Sequence, residues 1–344
     1  MKVILVTGGC GFIGSNFIRH LLGRYEYRII NLDALTYAGN PDNVRDLEGD
    51  RRYRFVAGDI SDADTVRPLL REVNSVVNFA AETHVDRSLG NGRVFVETDV
   101  CGTYALLEEA RQSNIERFLH VSTDEVYGDI PPGLSSRETD ALRPRSPYAA
   151  SKAGGEMMCF ALHATYGLPV VIGRASNNIG PYQHLEKAVP LFVTRALEDE
   201  AIPLYGDGGN IRDWQFVRDH CEALDLLLHR GEPGEAYNIG AGNERTNIDV
   251  LNAILAILGK PMSLVRRVQD RAGHDGRYSL DTGKLRSLGW RPEYGFEAAI
   301  EATVRWYRDN RWWWEKAKAG PYRDYFERQY ARRLAASTPL QGGE

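Results

Sequence analysis

Short apolar runs alternate with helix-length amphipathic stretches through the first half of the chain. Val3 to Thr7 is β-rich and ends in Gly8-Gly9-Cys10-Gly11-Phe12-Ile13-Gly14, after which Asn16 to Leu22 carries helical periodicity. Ile29 to Leu32, Tyr53 to Val56, Val76 to Phe79, Phe118 to Val121 and Val170 to Ile172 repeat the theme, with helical stretches between them. Strands separated by helix-length segments predict an α/β fold built on a doubly wound parallel sheet, with ligands at the strand C-termini. Three strand ends carry Gly58-Asp59-Ile60, Ala80-Ala81-Glu82-Thr83-His84 and Ser122-Thr123-Asp124-Glu125, and all three are expected to meet in one crevice.

Beyond Val170 the alternation weakens. Ser176 to Tyr182 is polar and turn-rich, Gly206 to Asn210 is a second turn, and Arg212-Asp213-Trp214 precedes a helical stretch from Asp219 to Leu228. Tyr237 to Gly240 reads as a late strand, and Asn247 as the cap of a helix from Ile248 to Leu258. A chain of 344 residues exceeds the usual size of one domain. The expected division is a first lobe of 1–175 plus about 212–240, and a smaller, discontinuous C-terminal substrate-binding lobe of about 176–211 plus 241–330. The aromatic cluster Trp306-Tyr307 and Trp312-Trp313-Trp314 reads as a packed terminal helix, followed by a loosely held tail, 331–344.

Charge and composition remove several classes of function. A net charge of -5 with scattered Lys and Arg argues against nucleic acid as a partner. The opening segment reaches glycines too soon for a signal peptide, and no apolar run approaches ~18 residues, so a soluble protein without a membrane partner is expected. Cys10, Cys101, Cys159 and Cys221 form no C-x-x-C pair, which points to a reducing, cytoplasmic setting. Eight histidines show no ligand spacing, so no metal is expected.

The glycine segment is the first candidate for chemistry. A strand feeding a glycine turn and a helix lets the backbone approach a pyrophosphate at the helix N-terminus. The spacing here is G-x-x-G-x-x-G, and an ordinary glycine-rich turn is the plainer alternative. Asp33, 19 residues after Gly14, suits a carboxylate that accepts from a ribose diol and repels a 2′-phosphate, favouring NAD over NADP; a helix cap is its plainer reading. Tyr148 and Lys152 are four residues apart and so share a helix face, where an ammonium lowers a phenol's pKa and suits it to deprotonate a hydroxyl. Y-x-x-x-K gains weight only beside the glycine turn and Asp33.

Together these segments resemble the extended short-chain dehydrogenase/reductases, and among them the dTDP-glucose 4,6-dehydratase family. Thr36-Tyr37-Ala38-Gly39-Asn40, Ala80 to Ser88, Ser122 to Gly128, Ser176-Asn177-Asn178, Glu186-Lys187, Ile211 to Trp214 and Gly273-His274-Asp275 carry the likeness, which runs from the glycine turn to Trp290. The resemblance implies a Rossmann-type sheet and NAD contacts at Gly8, Gly11, Phe12, Ile13, Gly14, Asp33, Thr36, Asp59, Ile60, Ala80, Ala81, Thr98, Tyr148, Lys152 and Asn178. It implies nucleotide-sugar contacts at Thr83, Thr123, Asn177, Lys187, Tyr205, Arg212, Asn247, Asp270 and His274. Thr123, Asp124, Glu125, Tyr148 and Lys152 are the catalytic residues it implies. In that scheme Tyr148 is the base at the C4 hydroxyl, Glu125 exchanges the C5 proton, and Asp124 protonates the departing C6 hydroxyl. Neighbouring carboxylates disfavour double ionisation, so one of the pair stays an acid.

The resemblance further implies a homodimer paired through helices over Thr98 to Ser113 and Tyr148 to Tyr166. Asp99, Ile179, His184-Leu185 and Ala272 depart from the family's usual Asn, Tyr, Phe-Pro and Pro. They leave open a thymidine or a uridine nucleotide. A nucleotide-sugar 4-epimerase and a non-catalytic NAD-binding module are the competing readings. The adjacent carboxylates favour dehydration over the first, and the full set of proton-transfer groups argues against the second.

Overall fold

The computed structural model describes residues 1–337. Twelve strands run in chain order as β1 (Val3–Thr7), β2 (Arg28–Asp33), β3 (Tyr53–Ala57), β4 (Ser75–Asn78), β5 (Arg117–Thr123), β6 (Val170–Ala175), β7 (Asn177–Ile179), β8 (Ile202–Tyr205), β9 (Ile211–Phe216), β10 (Ala236–Ile239), β11 (Glu244–Thr246) and β12 (Val265–Val268). Seven form one sheet in the order β10-β6-β5-β4-β1-β2-β3, with every pair parallel. This is the doubly wound arrangement expected from the strand-helix alternation.

Both faces of that sheet are covered, which explains why its strands read as continuous apolar runs. Ile4, Val6, Leu119, Val121 and Val171 face the helices Phe12–Arg24 and Val217–Arg230. Leu5, Phe118, Val170 and Ile172 face the opposite way, onto Ala63–Leu70, Thr103–Arg111 and Pro147–Tyr166. Each of these buried apolar side chains contributes about 1.5–3 kcal/mol of burial free energy.

The smaller lobe has its own core, formed where the helices Ala188–Leu197, Asn247–Leu258 and Phe296–Asp309 meet Trp214 and Phe216. Its strands make a three-stranded sheet, β11-β9-β7, and a two-stranded one, β12-β8.

Several expected boundaries shift. Residues 212–216 do not return to the first lobe, because β9 pairs antiparallel with β11 and parallel with β7. The return begins at Val217, whose helix packs on Phe12–Arg24 and leads into β10 beside β6. Leu285 and Trp290, placed in the second lobe by sequence, pack into the first lobe's core. Thr246 caps the helix that Asn247 was expected to cap: its hydroxyl accepts from Asp249 N and Asp249 answers in a reciprocal box. The Trp cluster spans two helices, Phe296–Asp309 and Arg311–Ala317, and a further helix, Pro321–Ala335, follows. That helix is held by buried Tyr325 and Tyr330 and by Arg333, which donates to Tyr205 Oη. Residues 331–335 of the expected tail therefore belong to a packed helix, and its last residues, 338–344, lie outside the described part of the chain.

Candidate active site

The strand order reverses between β1 and β4, and a cleft opens at their C-terminal ends. Gly8 adopts φ +68°, and a Cβ there would lie 2.8 Å from Ala80 N. A Cβ on Gly14 would lie 2.5 Å from Gly8 O, so this turn closes only without side chains. No side chain caps the helix Phe12–Arg24 at Gly11, which leaves its first-turn amides facing the cleft for an anion. Asp33 is not a helix cap. Its two oxygens accept from Cys10 N and Leu35 N, both at 2.8 Å, holding the carboxylate at the cleft wall.

Fourteen of the fifteen residues expected around NAD line this single cleft: Gly8, Gly11, Phe12, Ile13, Gly14, Asp33, Thr36, Asp59, Ile60, Ala80, Ala81, Thr98, Tyr148 and Lys152. Asn178 lies off the lining. Its amide donates to Ser176 O at 3.0 Å, and its buried oxygen has no protein partner.

Thr98 reaches the cleft because the helix expected over Thr98 to Ser113 is interrupted. Val96–Gly102 is a π-helical turn, the local widening that recurs at functional sites. The same turn sends Asp99 inward, where Oδ2 accepts from Ser151 Oγ at 2.6 Å and Oδ1 from Glu82 N at 2.9 Å. Burial raises Asp99 to about 6, with Lys152's charge and these hydrogen bonds opposing.

Ser146 caps the helix Pro147–Tyr166 by accepting from Ala149 N at 3.0 Å, and Pro147 sits at its first position. Tyr148 and Lys152 then project one turn apart into the cleft. Lys152 Nζ donates to Val121 O at 2.8 Å and so ties the helix to β5. The expected lowering of the phenol's pKa does not occur in this state. Burial pushes Tyr148 well above its ordinary value, the charges of Glu125 and Asp99 add to that, and the Thr123 hydroxyl opposes. Lys152 is itself lowered by burial.

β5 ends at Thr123, which caps the short 3₁₀ turn Asp124–Tyr127. Thr123 Oγ1 accepts from Glu125 N at 3.3 Å and donates to Asp124 Oδ1 at 3.2 Å. Asp124 is buried and its Oδ2 has no partner. Burial, and then the charge of Glu125, raises its pKa well above the ordinary carboxylate value, which favours its protonated form. Beneath this turn runs a buried network. Ser122 Oγ donates to Glu156 Oε1, Arg174 donates to Glu156 Oε2 at 2.9 and 2.7 Å, and Arg174 also reaches Tyr127 Oη at 2.7 Å.

On the substrate side Thr83 and Lys187 line the same cleft, and Lys187 Nζ donates to Thr83 O. Arg212 is buried, stacks on Tyr278 at 4.1 Å and donates to the carbonyls of Ile211 and Asp275. Its charge bears on Asp124. Asn177 sits on β7 with a buried, unpartnered side-chain oxygen. Tyr205, Asp270 and His274 gather at the second lobe's rim: His274 Nδ1 bonds Asp270 Oδ1 at 2.7 Å and its ring meets Tyr205 edge-on. Asn247 begins the helix beside Asn210, whose carbonyl accepts from its N–H.

Sequence reasoning assigned no role to Arg271 or Tyr278. Arg271 pairs with Asp86 at 3.4 Å and adds a third cation near Lys187 and Arg212. Tyr278 Oη donates to Asp275 at 2.6 Å and lies 3.4 Å from Glu125 Oε2. Their only sequence signal was position, on either side of Gly273-His274-Asp275. Glu82, Gln183 and the departing His184 also line the cleft. Of the other departures, Ile179 and Leu185 are core residues and Ala272 is exposed.

Residues 5–303 match the model of the family described as GDP-mannose 4,6 dehydratase. A dTDP-glucose 4,6-dehydratase of Streptomyces niveus is 48% identical over 92% of this chain and 96% of its own. The crystal structure of the dTDP-glucose 4,6-dehydratase DesIV from Streptomyces venezuelae, with NAD and TYD bound, superposes with a TM-score of 0.90 at 52% identity, covering 92% of this chain and all of that one. A UDP-glucose 4-epimerase of Thermus thermophilus in complex with NAD follows at 35% identity and a TM-score of 0.84, covering 90% of this chain and 99% of its own.

Proposed function

The chain belongs to the dTDP-glucose 4,6-dehydratases, within the extended short-chain dehydrogenase/reductases, and from that premise we propose how its residues divide the work. It is an NAD-dependent hydro-lyase that converts dTDP-glucose to dTDP-4-keto-6-deoxyglucose. The observation that carries the assignment of roles is a buried Asp124 with an unpartnered Oδ2 beside Glu125, its pKa raised by that burial, at a strand end that faces Tyr148.

The donor set of the cleft suits NAD: uncapped amides for the pyrophosphate, and Asp33 for a ribose diol. NAD, when bound, accepts a hydride from C4 and gives it back at C6. Tyr148 takes the C4 hydroxyl proton, and the ketone that results makes C5–H acidic. Glu125 removes that proton while Asp124 gives its own to the C6 hydroxyl, which leaves as water; Glu125 then reprotonates C5. Lys152, tied to β5, holds the tyrosine's helix in register. Lys187, Arg212 and Arg271 are the cations suited to a diphosphate. A 4-epimerase needs no acid at C6, so Asp124 would have no task in it.

Incubation with dTDP-glucose and NAD, with no added reductant, should give a product lighter by one water in mass spectrometry. An unchanged mass would exclude the dehydration, and the same mass with inverted C4 would indicate epimerisation.

We also propose a homodimer. Tyr104, Met157 and Tyr166 are exposed on the two helices expected to meet a second copy, and Leu89, Val94 and Val96 are exposed on the short helical segments that lead into the first of them, apolar surface that a monomer would leave wet. Sedimentation at micromolar concentration should show a dimer, and Leu89→Glu with Met157→Glu should give a monomer. A wild-type monomer refutes it. Four free cysteines fit a reducing cytoplasm.

A further inference from the structure

The helix Pro321–Ala335 lies past residue 303, where the family match ends, and the division of work proposed above gives it no task. Its inner face nevertheless reaches the rim of the substrate side. Gln329 Nε2 donates to Tyr205 Oη at 2.7 Å and to Asp86 Oδ2 at 3.1 Å, and Arg333 Nη1 donates to the same phenol at 2.9 Å. Tyr205 Oη in turn donates to Asp86 Oδ2 at 2.8 Å. A phenol gives one proton and accepts through its lone pairs, and an amide nitrogen gives two, so one arrangement satisfies the whole junction. On its far side Asp86 Oδ1 accepts from Arg271 Nη1 at 3.4 Å. Arg271 Nε is buried and has no hydrogen-bond partner among the described residues. A buried cationic donor left unpaired is costly, and with Lys187 and Arg212 nearby the acceptor that suits it is an anion.

We propose that the helix Pro321–Ala335, acting through Tyr205 and Asp86, fixes the orientation of Arg271 and so positions it for the diphosphate of the nucleotide sugar. The proposal rests on the reading of Arg271 as a diphosphate cation. Gln329, Tyr205 and Asp86 serve in it as positioning residues. An arginine loses rotamer freedom when it clamps a ligand, and a guanidinium already held by one nitrogen has lost part of that freedom before the ligand arrives.

The junction explains why Asp86 does not simply compete with the ligand. A carboxylate with both oxygens free would take the guanidinium in a bidentate pair. Here Oδ2 is occupied by Tyr205 and Gln329, so only Oδ1 is left, and it holds only Nη1. The Nε edge stays open. A helix that merely had to stay attached is already held by the buried rings of Tyr325 and Tyr330, and needs no polar junction for that purpose.

Calorimetric titration with dTDP, and separately with NAD, compares wild type with Gln329→Leu and Tyr205→Phe, each made also in an Arg271→Met background. Neither Gln329→Leu nor Tyr205→Phe alters a charge, so long-range attraction for the diphosphate is the same in both. Gln329→Leu should weaken dTDP binding about threefold and Tyr205→Phe about tenfold, the scale of hydrogen bonds lost at a distance from the ligand, with NAD affinity within about twofold of wild type. Gln329→Leu should also raise KM for dTDP-glucose about threefold while kcat stays within about twofold. In the Arg271→Met background both substitutions should change dTDP affinity by less than about twofold, because the group they orient is gone. Equal weakening with and without Arg271 would overturn the positioning role. So would unchanged dTDP affinity in the two variants, or a parallel loss of NAD binding, which would make the helix a general support. An Arg271→Met protein that binds dTDP as wild type does would instead overturn the diphosphate reading beneath the proposal.

Discussion

Replacing Asp99 by asparagine should stabilise the protein, and should do so only where the carboxyl would otherwise be ionised. In the folded chain burial raises this group from its ordinary 3.8 to about 6. One pKa unit is worth about 1.4 kcal/mol, so the ionised carboxylate costs the fold about 3 kcal/mol at pH 8. The sign follows from linkage. A raised acid binds its proton more tightly when folded, so its penalty is complete above about 6 and fades as the pH falls toward 3.8. Asparagine resembles the protonated acid and fits the same partners. Its oxygen accepts from Glu82 N, and its amide donates to Ser151 Oγ, which frees the serine's single proton for Tyr148 O, 2.8 Å away.

Urea denaturation of the ligand-free protein should therefore show Asp99→Asn more stable by up to about 3 kcal/mol at pH 8, with the gain shrinking below pH ~6. A gain or loss that stays constant between pH 8 and pH 5 would refute the buried, ionised carboxylate. Because Asp99's charge also pushes the Tyr148 phenol up, the acid limb of the single-turnover rate should move to lower pH in the variant, by about one unit.

Two further outcomes follow from the same region. Asp124→Asn keeps the shape of the protonated acid but cannot give up a proton, so NADH absorbance should still develop while water loss slows by about 10²–10⁴; unaltered water loss would remove Asp124 from that role. Glu156→Gln leaves Arg174 buried without its carboxylate, and should cost about 3–5 kcal/mol in chemical denaturation; a change below about 1 kcal/mol would mean that the pair is not desolvated as the structure has it.

The large sheet was legible because each of its strands is buried on both faces and therefore shows an unbroken apolar run, and because helix periodicity separates them. The NAD-side residues were legible for a related reason. They sit at strand ends and in one helix, where spacing along the chain fixes spacing in space: Gly8 to Gly14 across one turn, Tyr148 to Lys152 across another. The second lobe was less so. β7, β9 and β11 are short and pair across long sequence separations, so Arg212 to Phe216 gave no sign of which sheet it would join. Capping at Thr246 over Asn247 was a one-residue choice made by the reciprocal bond with Asp249, which spacing alone does not weigh.

What the sequence determined by itself is the set of chemical groups and their order: a glycine turn for a pyrophosphate, a tyrosine and lysine on one helix, two adjacent carboxylates after a strand. Protonation was decided only by the tertiary structure, since desolvation depends on everything packed around a group. It raises Asp124 into an acid, keeps Tyr148 from the lowered pKa that Lys152 alone suggested, and turns Asp99 into a costly buried carboxylate. The tertiary structure also brought Arg271 and Tyr278 to Glu125 from the far end of the chain, and aimed the hydroxyl of Thr123 at Asp124. Direction and distance between side chains come from packing, and no spacing along a sequence encodes them.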